Sequence, residues 1–125
     1  MYTLCSSFNY NQQKALALQK DISIFFDPQA QIYIIENIPY ALEKNIVFAV
    51  LPGIKGPPST PTQVITQPIT YKNNTVIFYK NGVISSGTVY LLDTFYNIQY
   101  AITNAVGEIS YLRLYQYDAG KWSII

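Results

Sequence analysis

The spacing of apolar residues follows a helical period at the start of the chain. Strong helix formers fill the run Gln-Gln-Lys-Ala-Leu-Ala-Leu-Gln-Lys at residues 12–20. The apolar positions that fall near one face of a helix are Leu4, Phe8, Ala15 and Leu18. We therefore predict one amphipathic N-terminal helix over about residues 2–20, with this face packed on a sheet.

Beyond the helix the pattern changes to alternation, which is typical of half-buried strands. The even-numbered apolar residues from Ile22 to Phe26 would share one side of a first strand. A type I turn at Asp27-Pro28 would lead into a second strand at residues 31–36, which predicts a hairpin. Residues 45–51 are almost wholly apolar and predict a third strand, covered on both faces in the middle of a sheet.

The C-terminal half consists of short β-prone runs separated by turn signals. The runs lie at about residues 75–80, 88–92, 97–103 and 108–117. They predict a three- or four-stranded antiparallel meander, and together with the N-terminal helix they predict an α+β fold. The glycines that we expect to serve backbone geometry at the turns are Gly82, Gly87, Gly107 and Gly120.

A proline-rich segment separates the two halves. Residues 52–61 hold four of the seven prolines, and proline cannot donate to a strand ladder. We predict an exposed, stiff loop within one domain, because the flanking segments are too short for independent cores. Residues 1–125 then form a single domain with the helix at 1–20, the hairpin and third strand at 21–51, the loop and an edge segment at 52–70, and the meander at 71–125.

The composition fits one domain whose surface carries little charge. Of the 125 residues, 50% are hydrophobic and 12% are charged, and the net charge is +1. The seven lysines are scattered and Arg113 is the only arginine, so the chain lacks the clustered cations that bind nucleic-acid phosphates. Such a surface suits contacts with other proteins or with solid ligands.

The sequence offers few groups for catalysis or metal binding. It contains no histidine, which removes the commonest general base near neutral pH and the commonest transition-metal ligand. Cys5 is the only cysteine, and the seven carboxylates fall at predicted strand ends and turns, where solvation is their ordinary role. We therefore predict no catalytic, metal-binding or cofactor-binding residue and no enzyme activity.

Several motifs of the C-terminal half together resemble one family. They are Phe78, Asn81-Gly82, Gly87-Thr88, Leu91, Tyr100-Ala101-Ile102, Gly107, Ile109 and Trp122. With a helix that runs into a hairpin, this arrangement is similar to the periplasmic domain of the type II secretion pseudopilin H and of FimT-like minor pilins. Its specific part covers about residues 75–122. Members of that family begin with a leader and an apolar membrane helix that this chain does not show, so we expect it to be the soluble part of a longer protein or a soluble relative.

The resemblance implies a pilin-like fold and a non-catalytic structural role. The protein would be a minor pilin or pseudopilin of a type II secretion pseudopilus or a type IV pilus, anchored in the inner membrane and exposed in the periplasm or on an extracellular filament. Its partners would be other pilins or pseudopilins of the same filament. DNA-capturing members use basic residues near the C-terminus, where this chain has only Arg113 and Lys121, so DNA is the weaker candidate partner.

We expect the contact surface to combine the proline loop with the end of the chain. Its candidate residues are Pro57, Pro58, Tyr115, Tyr117, Lys121 and Trp122. The alternative is an extracellular module that binds carbohydrate or single-stranded nucleic acid through a stripe of exposed tyrosines, drawn from Tyr90, Tyr96, Tyr100, Tyr111, Tyr115 and Tyr117. Three or more exposed tyrosines in a row on one concave face would favour that module over cross-strand pairs that only stabilise the sheet.

Overall fold

The computed structural model describes residues 1–105 and 111–125. The helix and strands, in chain order, are α1 (Tyr2–Leu18), β1 (Ile22–Asp27), β2 (Ile32–Ile35), β3 (Ile38–Ala41), β4 (Ile46–Phe48), β5 (Lys55–Gly56), β6 (Gln63–Val64), β7 (Thr75–Phe78), β8 (Thr88–Asp93), β9 (Ile98–Ala105), β10 (Tyr111–Asp118) and β11 (Lys121–Ile124). A short 3₁₀ turn at Lys72–Asn74 precedes β7.

The prediction of an α+β, pilin-like fold is wrong. Over the described residues the chain is mostly β, with 43% strand and 17% helix, and its 11 strands form three antiparallel sheets beside one helix. The reason is that the helical spacing ends at Leu18, and every later element of four or more residues in the described part of the chain is a strand. Strand β5 lies in the segment that we predicted as a loop, and β3 lies at residues for which we predicted no element, so both add to the β content.

Helix α1 packs on both large sheets and carries the centre of the core. Leu4, Phe8 and Ala15 are buried, and the Phe8 ring lies 5.9 Å from that of Phe26 on β1 and 5.5 Å from that of Phe78 on β7, measured between centroids. Leu18, which we predicted on the buried face, is 57% exposed. The helix ends at that residue because Gln19 takes a left-handed conformation, with φ of 51°, and closes the C-cap.

The first large sheet has four strands in the order β3-β2-β1-β7. The predicted hairpin is confirmed as β1 and β2, and Ile22, Ile24 and Phe26 all point into the core. The unpredicted strand β3 forms one edge of this sheet, and all four of its residues are exposed. Its Pro39 has no backbone N–H to offer to a further strand.

The second large sheet has five strands in the order β11-β10-β9-β8-β4. Strands β8, β9 and β10 confirm three strands of the predicted meander. Its first predicted strand, β7, belongs to the other sheet instead, and β11, which was not predicted, adds a fourth strand. Strand β4, which we predicted in the middle of a sheet, is instead an edge. Its outer side is closed by a side chain, since the Phe48 N–H donates to Gln31 Oε1 at 2.7 Å and Gln31 Nε2 donates to the Phe48 carbonyl at 3.2 Å.

Asn81-Gly82 makes a tight turn but does not join strands of one sheet. The Tyr79 N–H donates to the Val83 carbonyl at 2.8 Å, and Phe78 bridges to Ile84. The chain then crosses over, so that β7 belongs to the four-stranded sheet and β8 to the five-stranded sheet. A hairpin signal in the sequence therefore marks the passage between two layers.

The proline-rich segment lies on the outer face of the five-stranded sheet, where β5 and β6 form a two-stranded ribbon. A second, smaller apolar cluster forms beneath it. Its members are Tyr90, Ala101 and Tyr115, with Val50, Ile65 and Trp122 packed against them. Gln99 fixes the residues that immediately precede this segment. Its side chain accepts a hydrogen bond from the Leu51 N–H at 2.8 Å and donates one to the Ala49 carbonyl at 3.0 Å.

Candidate functional site

A groove runs between the proline-rich segment and the outer face of the five-stranded sheet, and we call it the loop groove. Its first lobe has a volume of about 470 Å³ and is lined by Gly56, Pro57, Gln63 to Gln67, Ile69, Thr70 and Tyr90. Its second lobe has a volume of about 280 Å³ and is lined by Pro57, Ser59, Thr70, Gly87, Thr88, Thr103, Asn104, Arg113 and Tyr115. Pro57 and Thr70 line both lobes, so the two are adjacent.

Close packing at Gly56 sets the position of the ribbon above the sheet. A Cβ on Gly56 would lie 2.4 Å from the Tyr90 hydroxyl, so only glycine allows this approach. Trp122 Nε1 donates to the Lys55 carbonyl at 2.9 Å and fastens the ribbon to β11. The Trp122 ring also lies 6.0 Å from the Tyr90 ring, between centroids. The ribbon is thereby anchored at one end of the groove.

The groove presents neutral polar groups. Burial raises the pKa of Tyr90 to about 12, against the smaller, opposite effect of a hydrogen bond with Thr88. The Tyr90 hydroxyl therefore stays protonated at physiological pH. At the far end, the Tyr71 hydroxyl donates to Asn104 Oδ1 at 2.8 Å, and Asn104 Nδ2 donates to the Ile84 carbonyl at 3.2 Å. These bonds fix the amide of Asn104, which lines the second lobe.

The structure brings three of the predicted site residues together. Pro57, Arg113 and Tyr115 all line the second lobe of the loop groove. Pro58 is buried, Lys121 is exposed on β11, and the half-buried Tyr117 packs edge-on against Trp122 with 5.2 Å between centroids. Neither Pro58 nor Lys121 lines the groove.

The predicted turn glycines differ in what they do. Gly82 and Gly120 have φ of +91° and +81°, a region that favours glycine. Gly87 has an ordinary φ, but a Cβ there would lie 2.4 Å from the Tyr71 ring, so a close approach requires glycine at this position. Gly107 lies outside the described residues.

The five candidate tyrosines whose side chains the structure describes do not line up as an exposed stripe. Tyr90 and Tyr115 are buried beneath the ribbon, and Tyr100 packs on the main core on the opposite face. Tyr96 is 69% exposed, but it lies in the turn between β8 and β9. The Tyr111 side chain lies outside the described part of the structure.

A second groove, which the sequence did not predict, lies between α1 and the β2–β3 hairpin, and we call it the helix–hairpin groove. Its volume is about 260 Å³, and its lining is Ser7, Tyr10, Asn11, Lys14, Ile35, Glu36, Ile38 and Tyr40. Three of these side chains are large and exposed, Tyr10 at 65%, Ile38 at 54% and Tyr40 at 41%. Lys14 and Glu36 form an ion pair at 3.3 Å across it.

We missed this groove because β3 was not predicted as a strand. Its sequence, Ile-Pro-Tyr-Ala, contains a proline and no polar residue to set an alternation. The signal that could have found it is the spacing from Ile35 to Ile38 across the Glu36-Asn37 turn, a two-residue connection typical of hairpins. Both turn residues have positive φ, 50° and 68°.

In residues 1–105 and 111–125 the structure contains no group of three or more His, Cys, Asp or Glu side chains placed to hold a metal ion. Within the same residues, α1 lacks the length and the apolar character needed to cross a membrane. Comparison of the chain with protein-family models, with curated proteins and with solved structures found no match.

Proposed function

We propose that this chain is a non-catalytic structural subunit that acts through contacts with other protein subunits. The resemblance of its C-terminal motifs to pseudopilin H and FimT-like minor pilins suggests a type II secretion pseudopilus or a type IV pilus as the assembly. A periplasmic or extracellular location belongs to the same proposal. The observation that carries it is the helix–hairpin groove, where three large side chains lie exposed around one concavity.

The residue types in this groove are those that stabilise protein interfaces. Tyrosine is enriched at interface hot spots, because it buries a large apolar ring and can also form a hydrogen bond. Tyr10 and Tyr40 flank Ile38, so a partner side chain that enters the groove would contact two rings and an aliphatic group. Full burial of one large apolar side chain of a partner in the groove would contribute about 1.5–3 kcal/mol to the free energy of association.

Two of the side chains that line the groove, Tyr40 and Asn11, are held by contacts within the chain. The Tyr40 ring stacks on that of Tyr33 with 5.5 Å between centroids and an interplanar angle of 18°. On the facing helix, Asn11 Nδ2 donates to the Ser7 carbonyl at 2.7 Å, and Asn11 is buried. Side chains that are already ordered lose little conformational entropy on binding, which favours a specific contact.

The test is site-specific photocrosslinking in cells that express the protein from its own gene. Photoreactive p-benzoylphenylalanine replaces Tyr10 in one variant and Tyr40 in another, and it replaces Tyr96 in the matched control. Tyr96 is as exposed as Tyr10, but it lies in the β8–β9 turn outside the groove. We expect discrete protein adducts from the two groove positions, identified by mass spectrometry as copies of this chain or as other filament subunits.

Two results would contradict the proposal. One is an adduct yield at Tyr10 and Tyr40 no higher than at Tyr96. The other is adducts that form equally with many unrelated proteins, since a structural subunit must contact a small, defined set of neighbours.

A further inference from the structure

The loop groove lies on a different surface from the helix–hairpin groove and differs from it in chemistry. Its accessible apolar lining consists of Val64, at 52% exposure, the exposed Pro57 and the half-buried Ile65, and Ile69 and Tyr90 lie buried below them. Its rim carries exposed hydroxyl and amide side chains, namely Ser59, Gln63, Thr66, Gln67 and Thr70. Apolar side chains beside polar groups, with Arg113 as the one charged residue of the lining described, are typical of sites for small polar ligands.

Three of the rim side chains are available to a ligand, whereas the Thr70 hydroxyl is already bonded to the backbone of Thr88. Within the described part of the chain, no hydrogen bond engages the side chains of Gln63, Thr66 or Gln67. Each glutamine amide offers two donors and an acceptor, and the threonine hydroxyl offers one donor and two acceptor positions. These groups can therefore both donate hydrogen bonds to the hydroxyls of a ligand and accept hydrogen bonds from them.

We propose that the loop groove binds a neutral oligosaccharide. The hydroxyls of a sugar would pair with the rim, and the apolar C–H face of its ring would pack on the exposed side chains of Val64 and Pro57. The first lobe alone, at about 470 Å³, falls in the usual range for small-molecule sites. The second lobe continues from it past Pro57 and Thr70, which gives room for a chain of more than one ring.

The same lining disfavours two other ligands. A phosphate polymer needs several cations, and among the described lining residues only Arg113 is positively charged. An extended peptide that adds as a strand needs free backbone groups at the edge of a sheet. The backbone of β8 beside the groove is already paired, since the Tyr90 N–H donates to the Pro68 carbonyl at 2.7 Å and the Thr70 N–H to the Thr88 carbonyl at 3.0 Å.

The test is an NMR titration of the ¹⁵N-labelled chain with neutral tetrasaccharides, namely cellotetraose, maltotetraose and tetra-N-acetylchitotetraose, each up to 10 mM. We expect at least one of them to cause saturable shifts of backbone amides in the Gln63–Thr70 segment and in β8. The double variant Gln63→Ala/Gln67→Ala should weaken that binding by about fivefold or more, because it removes two hydrogen-bonding side chains. Both glutamines are exposed, so the fold should be unaffected.

The matched control is Gln13→Ala/Gln29→Ala, which also removes two exposed glutamines but lies away from the groove. This variant should bind as the parent does. The proposal is overturned if none of the three sugars shifts those amides, if the shifts map elsewhere, or if both double variants lose affinity equally. A parallel titration with the oligonucleotide (dT)₁₂ that shifts the groove amides where the sugars do not would also overturn it.

Discussion

Replacing Gln99 tests how the proline-rich segment is attached to the sheet. The side chain of Gln99 is 1% exposed and forms bonds to Leu51 N, Ala49 O and Leu91 O at 2.8–3.0 Å. Gln99→Met keeps the approximate length of the side chain but removes its amide. The Leu51 N–H and the Ala49 carbonyl would then lose their partner.

The expected cost follows from the surroundings of those two backbone groups. A buried polar group without a partner costs about 1–3 kcal/mol. Leu51 and Ala49 are only half-buried, so water can replace part of each bond. We therefore expect Gln99→Met to lower the free energy of unfolding by roughly 2–4 kcal/mol, a large share of the 5–15 kcal/mol that is usual for a domain.

The assay is urea unfolding followed by far-UV circular dichroism, with Gln29→Met at an exposed turn position as the control. Amide hydrogen exchange gives a local readout, since the Leu51 N–H should exchange much faster in Gln99→Met. The reasoning is refuted if the variant loses less than about 0.5 kcal/mol, which is the range of ordinary surface substitutions, and if protection of the Leu51 amide is unchanged.

The remaining predictions concern Tyr71 and its neighbours. Gly87→Ala would place a Cβ 2.4 Å from the Tyr71 ring, so we expect the free energy of unfolding to fall by about 1–3 kcal/mol. The control Ser86→Ala changes an exposed residue and should cause no measurable loss. Equal stability of the two variants would contradict this prediction. Burial raises the pKa of Tyr71, and raises that of Tyr90 to about 12. Because the unfolded chain loses these protons first, near pH 10, stability should hold below that pH and fall as pH rises toward 12. Urea unfolding from pH 8 to 11.5 should show a shallower fall in Tyr90→Phe, and an unchanged slope would contradict the assignment.

Local patterning predicts the elements of this chain better than their assembly. The helix, the β1–β2 hairpin and the consecutive strands β8, β9 and β10 all follow from periodicity and turn residues that lie close together in sequence. Which sheet a strand joins depends on contacts between distant residues. Asn81-Gly82 signals a turn whether β7 and β8 pair or separate, so the sequence could not distinguish one sheet from two.

The edge position of β4 has the same explanation. A strand with apolar residues on both faces normally lies between two others. Here Phe48 faces the core, and the free side of its backbone is bonded by Gln31, 17 residues earlier in the chain. A glutamine side chain that forms the hydrogen bonds of a neighbouring strand cannot be recognised from the spacing of apolar and polar residues. Gln99 is a second case, since polar residues on a half-buried strand are ordinarily exposed.

The candidate site was predicted in part. The proline content identified the segment that covers the loop groove, and Pro57, Arg113 and Tyr115 do meet there. The uncharged rim at residues 63–67 was not predicted, because nothing in its composition separates a binding surface from an ordinary polar loop. The helix–hairpin groove depends on how α1 crosses β3, which no local pattern encodes.

Pro39 also limits the addition of a further strand at the β3 edge of the four-stranded sheet. An edge strand with a full set of free backbone donors can pair with strands of other chains whatever their sequence, and such pairing can repeat without limit. The missing donor at Pro39 interrupts such pairing on the β3 side, immediately beside Ile38 and Tyr40. If the proposed contact between subunits forms on this side, the side chains of Ile38 and Tyr40 would therefore determine its specificity more than backbone pairing would.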